Sequence, residues 1–128
     1  MAARAVHLHI RPVTADLPLR GGSQPRMAAW VRIADRRPGD AEAAVVLLDA
    51  LPPALYSTIT EPVPVPTVEF AIHLAPPLHG RAVDDWVLVS IHTEHAGHGW
   101  AVDDAALRTR QGVLLATGRQ TRRVVVRS

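Results

Sequence analysis

The chain has 128 residues, of which 48% are hydrophobic, 20% charged and 4% aromatic, the profile of one globular domain with a largely aliphatic core. It contains no Cys, which excludes disulfides, thiolate zinc sites and a cysteine nucleophile, and no apolar run approaches the roughly 18 residues that cross a bilayer. All 14 basic residues are Arg and face 12 acidic ones for a net charge of +2, and the groups Arg20 to Arg26, Arg32 to Arg37 and Arg119 to Arg127 are interrupted by uncharged or acidic residues, which argues against a nucleic-acid partner.

The opening Met1-Ala2-Ala3-Arg4 leads into alternating residues and not into a signal-peptide core, so the expected compartment is the cytosol. Val6 to Pro12 alternates as a strand does, and Val13 to Pro25, with its Pro, Gly-Gly and Ser, reads as a loop. Arg26 to Ile33 puts Met27, Ala29, Val31 and Ile33 on one face, the period of a half-buried strand. Arg36 to Asp40 is a turn, with Asp40 as the N-cap of a helix.

From Ala41 to Leu51 the composition changes to helix formers, with Ala44, Val45, Leu47, Leu48 and Leu51 forming a wide apolar face. Pro52 and Pro53 end this helix, expected to be roughly 17 Å long at about 1.5 Å per residue. The stretch Glu61 to Pro66 is too rich in Pro to donate to a sheet ladder and reads as an extended connection. Every later element reads as a strand: Thr67 to Leu74, Trp86 to Glu94, Trp100 to Thr109 and Val113 to Val126. Arg110-Gln111-Gly112 turns the last hairpin, with Gly112 in the left-handed conformation.

Two strands, one helix and a run of antiparallel strands require one helix to cover one sheet. The fold class is therefore α+β, a single hot-dog domain over residues 1–128 in which an antiparallel sheet wraps a central helix. The uncovered sheet face and a free edge strand predict dimerisation.

The ordered set Arg11-Pro12-Val13, Pro18-Leu19-Arg20-Gly21, Trp30-Val31-Arg32-Ile33, Leu48-Asp49-Ala50-Leu51-Pro52-Pro53-Ala54-Leu55, Pro66-Thr67, Trp86-Val87-Leu88 and Gly112-Val113-Leu114-Leu115-Ala116, leading to Gln120, resembles the C-terminal half of the acyl-CoA thioesterase II family from about Val6 to Val125. Members of that family carry two hot-dog units in tandem. The resemblance implies hydrolysis of an acyl-CoA thioester by an Asp near the end of the helix, a Thr opening the next strand and a Gln on the last strand. Here these are Asp49, Thr67 and Gln120. A carboxylate can serve as general base for water while hydroxyl and amide groups hold that water, with no covalent intermediate. Because the resemblance covers only the second unit, it also implies a partner, either a homodimer or a second hot-dog chain.

Each residue also has a structural reading. Asp49 can be an ordinary helix-end residue, although an acidic group there opposes the helix dipole, and Thr67 suits any strand. Arg119, Arg122 and Arg123 either attract the phosphates of coenzyme A or form an exposed strand face. At strand spacing His92 and His98 face one way and His95 the other, which does not favour a metal site, and no metal or other cofactor is expected. Glu69 and His73 share a face of the Thr67 strand and either reach the same pocket or are solvated. Asp84-Asp85 and Asp103-Asp104 belong most simply to loops or strand edges.

The leading expectation is an acyl-CoA thioesterase. A non-catalytic acyl-binding or structural subunit paired with another hot-dog chain is the alternative. A hydratase of the same fold would need a His and acid pair near the helix, and the helix contains no His.

Overall fold

The computed structural model describes residues 7–13, 21–22, 24–34, 40–60, 63–78 and 85–125. The elements are β1 (Leu8–Pro12), β2 (Arg26–Ile33), α1 (Ala41–Leu48), β3 (Thr67–Leu74), β4 (Val87–Gly97), β5 (Trp100–Arg108) and β6 (Leu114–Arg123), with short 3-10 turns at Ala54–Ser57 and Pro76–Leu78. The Arg36 to Gly39 turn, most of the Val13 to Pro25 loop, and Asp84 lie outside the described residues.

All pairings are antiparallel, and the strands stand in the order β1-β2-β4-β5-β6-β3 in one six-stranded sheet. Ala43, Ala44, Leu47 and Leu48 of α1 are buried in one core with the inward residues of β2 and β4, from Met27 to Ile33 and from Val87 to Ile91. The helix itself lies against β5, β6 and β3, and the 3-10 turn after it lies against β2 and β4. This is the hot-dog arrangement, with the core between the inner sheet face and a single helix.

The helix starts as the sequence predicts: Asp40 is extended, and its Oδ1 accepts from Ala43 N at 2.9 Å. It ends earlier, at Leu48 instead of Leu51. Pro52 disfavours helical backbone at Leu51, and the last turn tightens into an Ala50 N to Leu47 O bond of 3.2 Å. Leu51 remains in the core without being helical. Asp49 thereby becomes the C-cap.

Of the Pro-rich approach to β3, Glu61 and Pro62 lie outside the described residues, and residues 63–66 are neither helix nor strand. Carbonyls of this stretch serve as acceptors, with Arg123 N donating to Pro66 O and Val125 N to Pro64 O, both at 3.0 Å. β4 runs on past Glu94 to Gly97 and turns into β5 through His98 and Gly99, whose φ values of 54° and 81° match the twist of a two-residue hairpin. Gly112 has φ 88°, the left-handed position expected for the β5–β6 turn. Among the described residues no helix is long and apolar enough to cross a membrane.

Candidate active site

Three elements bring the expected residues together. Asp49 is presented by the end of α1, Thr67 opens edge strand β3, and Gln120 lies on the inner face of β6. Gln120, only 2% exposed, joins the other two: its Nε2 donates to Asp49 Oδ1 at 3.3 Å, and its Oε1 accepts from Thr67 Oγ1 at 2.5 Å. Asp49 and Thr67 are exposed, so water can reach the carboxylate and the hydroxyl.

Thr67 owes its orientation to a bulge. Phe70 and Ile72 of β3 pack against the core, and strict alternation would send Thr67 to the other face. The register shifts between Thr67 and Glu69, leaving Val68 as the extra residue, 60% exposed, and Thr67 pairs with Arg122 on the inner face. Glu69 and His73 keep the outer face, so they do not share the pocket of Thr67. His73 instead lines an open groove of about 560 Å³ on the outer side of the sheet, with His92, Asp104 and Arg119.

Gly118 sets the approach of the helix end. A Cβ there would stand 2.8 Å from Phe70 Cε1 and 3.3 Å from Leu48 Cδ1. The absence of a Cβ leaves room for the Phe70 ring and for Leu48, the neighbour of Asp49 at the helix end, to pack close to β6.

The structure adds residues that the sequence places elsewhere. Asp103 and Asp104 are not in a loop or at a sheet edge: β5 is paired on both sides, and Asp103 is 1% exposed on its inner face. Arg122, 4% exposed, donates from Nε to Asp103 Oδ2 at 2.7 Å and from Nη1 to Thr67 Oγ1 at 3.1 Å. Asp103 also accepts from Thr93 Oγ1 at 2.8 Å and from the Ala54 backbone N–H at 3.3 Å. The signal is present in the pattern, since Asp103 shares the phase of Ala101, Ala105 and Leu107, and Arg122 that of Gln120, Gly118 and Ala116.

Of the three arginines considered for coenzyme A phosphates, Arg119 and Arg123 are exposed and Arg122 is buried on the opposite face of β6. Arg122 is enclosed in its ion pair, away from a solvent-borne phosphate. Arg119 is exposed on the outer face and makes a two-point bond to Asp104, at 2.6 and 2.8 Å. Hydrogen bonds from Arg119 hold the Asp104 carboxyl below the usual carboxylate value, and Asp104 raises the Arg119 guanidinium in turn.

A register shift between Thr93 and His95 changes the histidine pattern: His92 and His95 share the outer face, and His98 sits in the turn. Ligand atoms of His92, Glu94 and Asp104 lie within 4.8 Å of one another, but both Asp104 oxygens are engaged by Arg119.

Residues 2–124 match the family model described as acyl-CoA thioesterase C-terminal domain. Comparison with curated protein sequences finds no match. Among solved structures, a conserved hot-dog protein of unknown function from Alicyclobacillus acidocaldarius is similar at 23% identity and TM-score 0.82, over 94% of this chain and 46% of that one. An acyl-CoA thioesterase II, TesB2, from Mycobacterium marinum is similar at 19% identity and TM-score 0.70, over 100% of this chain and 59% of that one. A hypothetical thioesterase from Streptococcus pneumoniae, crystallised with coenzyme A, is similar at 12% identity and TM-score 0.64, over 93% and 86% of the two chains. The chain thus spans 46% and 59% of the length of the first two. The match from residue 2 to residue 124, together with the hot-dog sheet around one helix, means that the chain belongs to the acyl-CoA thioesterase C-terminal domain family.

Proposed function

We propose that this domain hydrolyses an acyl-CoA thioester to the free acid and coenzyme A, with Asp49 as general base. The observation that carries this reading is the bridge made by Gln120 between the Asp49 carboxylate and the Thr67 hydroxyl. A water in contact with this exposed carboxylate loses a proton to it while its oxygen attacks the thioester carbonyl carbon. The carbon–sulfur bond then breaks, and the thiolate takes a proton from the Asp49 carboxylic acid, restoring the base. Thr67 and Gln120 contribute by holding the water and the carboxylate in a reactive arrangement before the substrate arrives.

The test is thiol release from a panel of acyl-CoA substrates. The purified chain is expected to be active on at least one acyl length, and Asp49→Ala to lower the rate at least about a hundredfold, the usual scale for loss of a general base. No thiol release across the panel, or an unchanged rate in Asp49→Ala, contradicts the proposal.

A second reading is a hot-dog subunit that acts only with another hot-dog unit. It is favoured by the 46% and 59% coverage of the first two similar structures and by the position of Thr67 on an edge strand. A homodimer that is active alone counts against it. Inactivity alone, with activity restored by a second hot-dog chain that co-purifies with it, supports it.

A further inference from the structure

We propose that Arg122, held by Asp103, is a positioning residue that fixes the direction of the hydrogen bonds reaching Asp49. The proposal rests on the hydrolytic reading of the site and adds two residues to it.

The geometry sets the direction from both ends. A guanidinium only donates, so the 3.1 Å contact from Arg122 Nη1 makes the Thr67 oxygen an acceptor and directs the hydroxyl proton elsewhere. That proton goes to Gln120 Oε1 at 2.5 Å, which orients the amide so that its NH2 end faces Asp49 Oδ1 at 3.3 Å. In the flipped amide, Gln120 would put its carbonyl oxygen against the carboxylate, and the Thr67 proton would be left facing a donor. Arg122 and Asp49 therefore select the same amide orientation.

Asp103 in turn selects the pose of Arg122. Its carboxylate takes Arg122 Nε–H at 2.7 Å, Thr93 O–H at 2.8 Å and Ala54 N–H at 3.3 Å, which ties β6 to β4 and to the turn after the helix. These bonds give Asp103 a structural role, but stability alone does not explain the choice of Arg122 as its partner. Burying two charges is costly, apolar pairs of similar volume often replace them without loss, and Arg122 Nη2 is buried with no partner among the described residues. Among the described residues, the single side-chain contact that Arg122 donates to outside its ion pair is Thr67.

The test uses the full chain and the double variant Asp103→Leu/Arg122→Met, in which apolar side chains replace the ion pair. Its KM is expected to stay near that of the unmodified protein while kcat falls at least tenfold. Thr93 O–H and Ala54 N–H lose their acceptor, which lowers the thermal midpoint, so the rates are compared at a temperature where both proteins are folded. Thr67→Val alone should lower kcat similarly, and adding it to the double variant should cause little further loss, because both changes break one chain of bonds. A folded double variant with kcat within twofold of the unmodified protein overturns the proposal. If the double variant does not fold, Arg122→Lys serves instead: it keeps the charge but cannot hold Asp103 and Thr67 through one planar fork, so kcat should fall with KM unchanged, and an unchanged kcat overturns the proposal.

A readout independent of catalysis separates this proposal from the hydrolytic one. The Gln120 side-chain NH2 protons, followed by NMR, should be protected from exchange in the unmodified protein and lose protection in either Arg122 variant. Equal protection in both overturns the positioning role even if no substrate is found. An unchanged rate in Asp49→Asn, with protection lost in the Arg122 variants, overturns the hydrolytic reading alone.

Discussion

Leu48 lies over Gly118 so closely that a Cβ on the glycine would stand 3.3 Å from Leu48 Cδ1. The next residue after Leu48 is Asp49, and two residues after Gly118 on the same face of β6 is Gln120. The close packing of Leu48 on Gly118 thus brings the end of α1 near the strand that carries Gln120.

Gly118→Ala should therefore affect both stability and function. The new methyl would meet the Phe70 ring edge at 2.8 Å, and Phe70 is itself packed against the core. Overpacking of this kind costs about 1 to 3 kcal/mol, to be measured by denaturant unfolding. At a temperature where the variant is fully folded, thiol release should still be reduced, because the end of α1 has been pushed away from β6. Full activity in the folded variant would show that the contact does not position Asp49.

Deletion of Val68 should leave the site in place. Without the extra residue, Thr67 stands two positions from Phe70, so regular alternation keeps it on the inner face, opposite Arg122 and beside Gln120. Thr67→Val tests the hydroxyl without moving the backbone. It leaves Gln120 Oε1 and Arg122 Nη1 without their partner, so a stability loss of about 1 to 3 kcal/mol is expected alongside a lower kcat. Circular dichroism would verify that strands persist in both variants, and loss of activity in a folded deletion would contradict this account of the bulge.

The Asp104–Arg119 pair on the outer face predicts a specific acid dependence. Its hydrogen bonds lower the Asp104 carboxyl in the folded state. A depressed folded value means that the contribution is present above the unfolded carboxylate value of about 3.9 and is lost as pH falls through the folded value. The thermal midpoints of the unmodified protein and Asp104→Asn should therefore differ at neutral pH and converge only below about pH 4. Arg119 is exposed, so the gap should be small and should shrink with added salt. A gap that persists at full size at pH 2 would contradict this origin.

The strands were legible because alternation of apolar side chains reports directly on burial. β2 and β3 begin and end where the sequence places them, at Arg26–Ile33 and Thr67–Leu74. The helix was overrun because Leu51 is in phase with Leu47 and Leu48 and is buried like them, while the constraint of Pro52 acts on backbone and not on hydropathy. The face of Thr67 was not legible, since a bulge depends on pairing with β6 and leaves no mark in the local pattern. Asp103 and Arg122 form a pair across two strands, and adjacency of Asp103 with Asp104 hid the fact that the first points inward and the second outward. Asp49, Thr67 and Gln120 were reached through a family resemblance, and their own local patterns did not require them to meet.

The most direct test compares the rates of acyl-CoA hydrolysis in Asp49→Ala, Gln120→Ala and the double variant, each shown to be folded. Gln120 bonds both Asp49 and Thr67, so the residues should behave as one unit. The expected result is a loss of at least about a hundredfold in Asp49→Ala, a smaller loss in Gln120→Ala, and a double variant no slower than Asp49→Ala alone. Fully multiplicative losses, or an Asp49→Ala rate equal to that of the unmodified protein, would contradict a shared catalytic role.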